Sequence, residues 1–222
     1  MKTKKFFSTL LAIIFMSISL HAGTYKILVD NGHGSNTAGK RSPDGNLREY
    51  AWTREIASRL VAKLRERGLD AERIVTEDTD VPLSTRCRRV NEVCQRLGAQ
   101  NVLLVSIHVN AASGDGKWHD ARGWSGWVYT QAGEQSKRLA RVLHEEAVRH
   151  NLQGNRAVPP TKYWTADFYI LRNTECPAVL TENLFQDNRD DVRYLLSEQG
   201  KATIVQLHVE GIKAYLKCLG EK

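Results

Sequence analysis

Four side chains in this sequence have the types and positions needed to hold a metal ion and move a proton beside it. His33 follows the apolar run 27–29 and lies between Gly32 and Gly34. Glycine permits unusual backbone angles and close approach of other groups, so a histidine flanked this way reads as more than core filling. His108 ends the apolar run 102–107, and Glu182 ends the run 177–181. Two histidines with one carboxylate form the ligand set of many catalytic zinc sites, where water keeps the fourth position. Zinc can bring the pKa of that water to about 7, and a second carboxylate off the metal can take and return its proton. His33, Glu49 and His108 are the candidate ligands, and Glu182 is the candidate acid–base. Such a set is the raw material of a metallohydrolase.

Glu49 enters the set through its helix. Trp52, Ile56, Leu60 and Leu64 recur at four-residue spacing within a helix predicted over 47–67. At about 100° per residue they define a buried stripe; Glu49 falls near its middle, while Glu55 faces water. A carboxylate on that stripe costs several kcal/mol unless it is paired or bound to a metal. Plainer readings stand beside the functional ones. A glutamate at a helix start can fray outward or complement the helix dipole. His33 and His108 can be structural histidines, and Glu182 a salt-bridged strand-end residue.

The elements that must position these residues alternate along the chain. Short apolar runs separated by helix-like segments read as strands of a largely parallel sheet. In open sheets of that kind, ligands bind outside the carboxyl ends of the strands. His33, His108 and Glu182 all stand at such ends. The pattern predicts strands over 26–30, 71–76, 101–107, 124–130, 168–171 and 178–181, with helices over 47–67, 82–97, 135–151 and 202–216. Gly68 and Gly98 stop the first two helices, as glycine commonly does just past a helix end. Loops cover 112–123 and the segment opened by Pro159-Pro160. Trp118, Tyr163 and Trp164 in those loops could stack on sugar rings or simply anchor the loops. No internal repeat, low-complexity tract or linker interrupts the pattern, which predicts one α/β domain.

Residues 1–22 read as a signal peptide ahead of a catalytic domain at 23–222. Lys2, Lys4 and Lys5 make a basic start, and residues 6–20 carry no charge. That stretch falls short of the about 20 residues a membrane span needs, and Ala22 offers a small residue for cleavage. The expectation is a periplasmic or secreted protein with no stable membrane span after cleavage. The 200 residues that remain suit one domain, which at that size buries roughly 70% of its unfolded surface. The leader lysines supply three charges of the net +7, leaving +4, a modest excess that suits an anionic partner such as a bacterial wall. No basic run with interleaved aromatics points to nucleic acid. Cys87 and Cys94 share a predicted helix and lie about 10 Å apart along it, beyond the about 7 Å that a disulfide allows. For these two, Cys176 and Cys218, buried thiols are favoured over a disulfide. His144-Glu145-Glu146-Ala147-Val148 begins like the zinc-protease motif, but Val148 stands where a second histidine is required. Thr37 stands where a dinucleotide loop needs its third glycine. His119, His150 and His208 lack a partner pattern and read as surface or structural residues.

Taken in order along nearly all of 23–222, these segments resemble the zinc-dependent N-acetylmuramoyl-L-alanine amidases of bacterial cell walls. Asp30-Asn31-Gly32-His33-Gly34 is similar to the family's first ligand loop, and Leu47-Arg48-Glu49-Tyr50 to its glutamate ligand. Leu83-Ser84-Thr85-Arg86 through Val90-Asn91 resembles its arginine-bearing helix. Ser106-Ile107-His108-Val109-Asn110-Ala111 matches the second histidine segment. Pro177-Ala178-Val179-Leu180-Thr181-Glu182, then Phe185 and Asn188, matches the catalytic glutamate segment. Asn31 replaces the usual proline, Ser35 a frequent glycine, and Asn183-Leu184 the common small residues, departures that bear on the pocket rim and substrate preference.

The resemblance implies a twisted, mostly parallel sheet with helices on both faces, and one Zn2+ on His33, Glu49 and His108. It further implies Glu182 as proton carrier, and cleavage by a monomer of the amide joining N-acetylmuramic acid to L-alanine in peptidoglycan. No stretch is long enough for the autoinhibitory helical insert or the wall-binding repeats that some relatives carry, so regulation would fall to a protein activator or to export. Arg172, shortly before the last strand, is a candidate for binding a peptide carboxylate, because arginine suits bidentate carboxylate recognition. Two other classes stay open: another zinc peptidase acting on stem peptides, and a non-catalytic wall-binding or activator protein. The intact set of candidate ligands with Glu182 argues against the second.

Overall fold

Alternation along the strands, with both faces apolar, shows how the sheet is covered. The computed structural model describes residues 25–220, so the leader predicted over 1–22 lies outside the described residues. Six strands, β1 (Lys26–Asn31), β2 (Asp70–Arg73), β3 (Val102–Asn110), β4 (Ser125–Tyr129), β5 (Trp164–Ala166) and β6 (Ala178–Phe185), form one sheet in the order β2-β1-β3-β6-β4-β5. β2, β1, β3 and β6 run parallel, while β4 is antiparallel to β6 and parallel to β5. Ile27, Val29, Leu103, Val105, Ile107 and Val179 face one apolar cluster; Leu28, Val102, Leu104, Ala178 and Leu180 face a second. A sheet buried on both faces has no water-facing side, which is why its central strands read as continuous apolar runs.

Helices supply both covers. α1 (Glu49–Glu66), α3 (Glu134–Arg149) and α6 (Glu198–Gly220) contribute Trp52, Ile56, Leu60, Leu139, Leu143, Ile204 and Ile212 to the first cluster. α2 (Leu83–Leu97) and α4 (Tyr169–Arg172) contribute Val90, Val93, Ile170 and Leu171 to the second. Cys87, Cys94 and Cys176 are buried free thiols in that second cluster, and Cys218 is exposed. Among the described residues no helix is long and apolar enough to cross a membrane.

Several predicted segments differ from what forms: β2 ends at Arg73 rather than 76, and β3 runs to Asn110 rather than 107. Residues 168–171 are not a strand: Tyr169–Arg172 make a single helical turn, and the strand lies earlier, at Trp164–Ala166. A four-residue apolar run does not by itself separate strand from helix. Trp164 is placed by packing on Trp127 of β4, with ring centroids 6.0 Å apart. α5 (Arg189–Leu196) was unforeseen, although Asn188 caps it by accepting from the amides of Asp190 and Asp191, both at 3.1 Å. An asparagine followed by acidic residues is a helix-start signal. β6 extends past residue 181 to Phe185, and α6 starts at Glu198 rather than at 202.

Candidate metal centre

The ends of β1, β3 and β6 lie side by side. β1 pairs with β3 as far as Asn31 opposite Ile107, and β3 pairs with β6 so that His108 stands opposite Glu182. Gly32 then crosses the end of β3, its amide donating to the Ile107 carbonyl at 3.0 Å. A Cβ at position 32 would come within 2.3 Å of the His108 ring, so the ring occupies space that only glycine leaves open. His33 follows with φ 63°, the left-handed region that non-glycine residues seldom adopt. Its neighbours hold it there. Arg54 Nη1 and Arg86 Nη2 donate to its carbonyl at 3.1 and 3.2 Å, and a Cβ on Gly34 would lie 1.9 Å from the Asp80 amide.

Arg86, 2% exposed, ties this loop to the sheet. Its Nη1 donates to Asp30 Oδ1 and the Asn31 carbonyl, both at 2.7 Å. Nε donates to the Val81 carbonyl at 2.8 Å, and Nη2 also reaches Asp80 Oδ1 at 2.8 Å. All five guanidinium N–H bonds are thereby used. Ser106 donates to the other oxygen of Asp30 at 2.5 Å. A buried charge pair is tolerated when its remaining hydrogen bonds are satisfied in this way.

Glu49, at the first turn of α1, reaches the same place and is 1% exposed. Its Oε1 accepts from the Val109 amide at 2.9 Å and lies 3.1 Å from His108 Nδ1 and 3.4 Å from His33 Nε2. The two imidazole rings meet edge to face, centroids 5.1 Å apart. One donor atom from each of His33, Glu49 and His108 lies within 4.8 Å of the other two. Glu49 Oε2 is buried and has no partner. A buried carboxylate with one oxygen against two ring nitrogens and the other without a partner fits a metal ion, which would satisfy the buried charge. Burial pushes the Glu49 carboxyl up, but hydrogen bonds from His108 and His33 outweigh it and hold the pKa down to about 2.

Glu182 behaves in the opposite way. Its Oε2 is also buried without a partner. Burial raises its pKa to about 7; the charge of His108 works against the rise, that of Glu49 adds to it, and Lys40 and Arg156 oppose it. A carboxyl that titrates near neutrality suits a group that both takes and gives a proton. The four residues open onto a cleft of about 430 Å³. Its lining includes Val81, Pro82, Leu83 and Tyr169, the carboxylate of Asp80, and Lys40 and Gln186.

The remaining sequence candidates lie elsewhere. Arg172 pairs with Asp167 at 2.5 Å, stacks its guanidinium 5.6 Å above the Tyr169 ring, and lines a separate hollow with Glu175. The structure does not bring it to the cluster. Trp118 lies beneath Arg189, Tyr163 is buried in the first apolar cluster, and Trp164 packs on Trp127. His119 pairs with Asp115 at 2.9 Å. His208 is buried between the Ile204 carbonyl and the Thr181 hydroxyl, and burial lowers its pKa to about 4. Asn183, one of the departures from the family pattern, was not foreseen as a support. Its amide donates to the His108 carbonyl at 2.9 Å and accepts from Trp124 Nε1 at 3.1 Å. Leu184 has φ 65°, and one extra residue on β6 opposes β3 between His108 and Asn110. The available signal was a polar residue directly after Glu182 in an otherwise apolar run.

Residues 27–214 match the N-acetylmuramoyl-L-alanine amidase family. An N-acetylmuramoyl-L-alanine amidase of Bacillus licheniformis is 30% identical over 189 residues, which is 84% of this chain and 67% of that protein. An endolysin of a Bacillus phage is 29% identical over 194 residues, 86% of this chain and 65% of the relative, so this chain spans about two thirds of the length of such relatives. Among solved structures, the amidase of Clostridium difficile 630 superposes with a TM-score of 0.74 at 26% identity, covering 87% of this chain and 97% of that one. The family match runs through β1, α1, β3 and β6, the elements that carry His33, Glu49, His108 and Glu182. The chain belongs to the N-acetylmuramoyl-L-alanine amidase family.

Proposed function

We propose that the protein is a zinc-dependent peptidoglycan hydrolase that cleaves the amide between N-acetylmuramic acid and L-alanine, at the cell wall beyond the cytoplasmic membrane. One observation carries the reading. Two carboxylates flank His108 in one cleft, Glu49 held charged between two imidazoles and Glu182 poised near neutrality. His33, Glu49 and His108 would hold zinc, which supplies a water of lowered pKa and polarises the scissile carbonyl. Glu182 takes the proton of the attacking water and delivers it to the leaving nitrogen, so that the amine departs neutral. Arg86 keeps the His33 carbonyl, and hence the ring, in place. Asn183 does the same for His108 through its carbonyl.

The test is incubation of the purified protein with intact peptidoglycan, with zinc or with a chelator, and mass spectrometry of the products. The expected result is zinc-dependent release of peptides with a free L-alanine amino terminus. Fragments that leave L-alanine on the sugar would replace this reading with a stem-peptide peptidase. No release from a zinc-loaded protein would point to a missing protein activator or a wall-binding role.

A further inference from the structure

The cleft does not end at Glu182. Lys40, Ala111 and Gln186 line both it and a second groove, which runs on between the 38–43 and 111–117 loops. Gln186 and Asp187, 3% and 4% exposed, line this groove. Gln186 Oε1 and Asp187 Oδ1 are buried acceptors with no partner. The other oxygen of Asp187 accepts from the amides of Ala112 and Ser113 at 2.8 and 3.1 Å, which fixes the loop that carries Lys117. Lys40 and Lys117 are exposed side chains lining the same groove. The cleft itself also exposes Leu83 and Tyr169, at 48% and 39%, with Asp80 in the same lining.

We propose that this second groove takes the stem peptide of the substrate. A peptide carboxylate sits between Lys40 and Lys117. The inference rests on the amidase reading of the metal site. The scissile amide joins a sugar that presents apolar ring faces to a peptide that carries carboxylates; the groove offers Lys40 and Lys117 to the carboxylates, and the cleft offers exposed Leu83 and Tyr169 to the sugar. The reverse placement would press carboxylates against Leu83, Tyr169 and the carboxylate of Asp80.

Lys117→Gln and Lys117→Glu test this on two muramoyl-peptide fragments that differ only in whether the peptide carboxylates are free or amidated. On the free-carboxylate fragment, Lys117→Gln should raise KM by about threefold to tenfold with kcat held, and Lys117→Glu by more. The increase should shrink toward about 1 M salt. Neither variant should move KM for the amidated fragment. Equal losses on both fragments, or none on either, overturn the proposal. Calorimetric titration of the free stem peptide into the Glu182→Gln protein reads the groove without turnover. Peptide binding weakened by Lys117→Glu, with neither fragment cleaved by the wild type, would uphold the groove and overturn the amidase reading. Peptide binding indifferent to Lys117 would overturn the groove.

Discussion

The start of α1 and the end of β6 each deliver a carboxylate to His108, and both lose water in doing so. Glu49 arrives among hydrogen-bond donors: the Val109 amide and two imidazoles. Glu182 arrives beside the negative charge of Glu49, with no donor on its buried oxygen. Desolvation raises both carboxyls, and the neighbours decide the outcome, about 2 for one and about 7 for the other. Burial alone therefore does not assign a role to an acidic residue. One region keeps a carboxyl charged beside two imidazoles, the other holds one that titrates near neutrality.

The sharpest way to break this contrast is to neutralise each carboxylate in turn. Glu182→Gln should lower turnover by about 10²–10⁴-fold while leaving zinc content, measured by atomic emission, at the wild-type level. A variant that stays active removes Glu182 from the chemistry. Glu49→Ala should behave in the reverse order, losing bound zinc first and activity as a result. A chelator should then lower the melting temperature of the wild type but not that of Glu49→Ala, since only the former has an ion whose binding favours the folded state.

Arg86 belongs to the Glu49 side of the comparison, because it holds the His33 loop and donates none of its hydrogen bonds to β6. Arg86→Met should cost about 3–5 kcal/mol in denaturant unfolding, the penalty for stranding the buried Asp30 charge. Arg86→Lys should recover only part of that, because an ammonium has three donors where five are used. Equal stability of Arg86→Met and wild type would show that the network does not support the ligand loop.

The smallest effect is the most discriminating. In chelated protein the two carboxylates should shape opposite limbs of the stability profile. Glu49, depressed from 4.5 to about 2, stabilises the fold above pH 4.5, and that contribution is lost as pH falls toward 2. Glu182, raised from 4.5 to about 7, contributes fully below pH 4.5 and loses its contribution as pH rises through 7. Asp191, raised to about 6 by burial, adds to the neutral limb, so the informative quantity is the difference between wild type and Glu182→Gln. That difference should change only between about pH 4.5 and 7 and stay level on either side. Melting curves recorded across pH that show it on the acid limb instead would reverse the assignment of the two groups.

The convergence of His33, His108 and Glu182 on one edge was legible because parallel strands place their carboxyl ends together, whatever the strand order. Glu49 was legible because a charged residue on an apolar helical stripe needs an explanation. What stayed hidden depends on packing between distant segments. The 168–171 run has no period long enough to choose helix over strand, and Trp127 and Trp164 settled the matter instead. The extra residue in β6 at Leu184 leaves no local mark in composition. Lys40 and Gln186 are 146 positions apart and face one cleft only because two loops fold toward each other. Arg172 stood at a suitable distance from the last strand in sequence, but the turn of α4 sends it to Asp167.

The hydrogen bonds that fix the ligand loop also bear on when the site comes into being. Asp30 and Arg86 are 56 residues apart, and Glu49 and His108 are 59 apart. Parallel pairing of β1 with β3 closes long loops before any contact rewards it, a slow and late event in chain assembly. His33 and Glu49, by contrast, meet at 3.4 Å within one strand–loop–helix unit, so His108 is the member that waits for β3. An ion that needed all three would report, by its occupancy, the molecules in which β1 and β3 have paired.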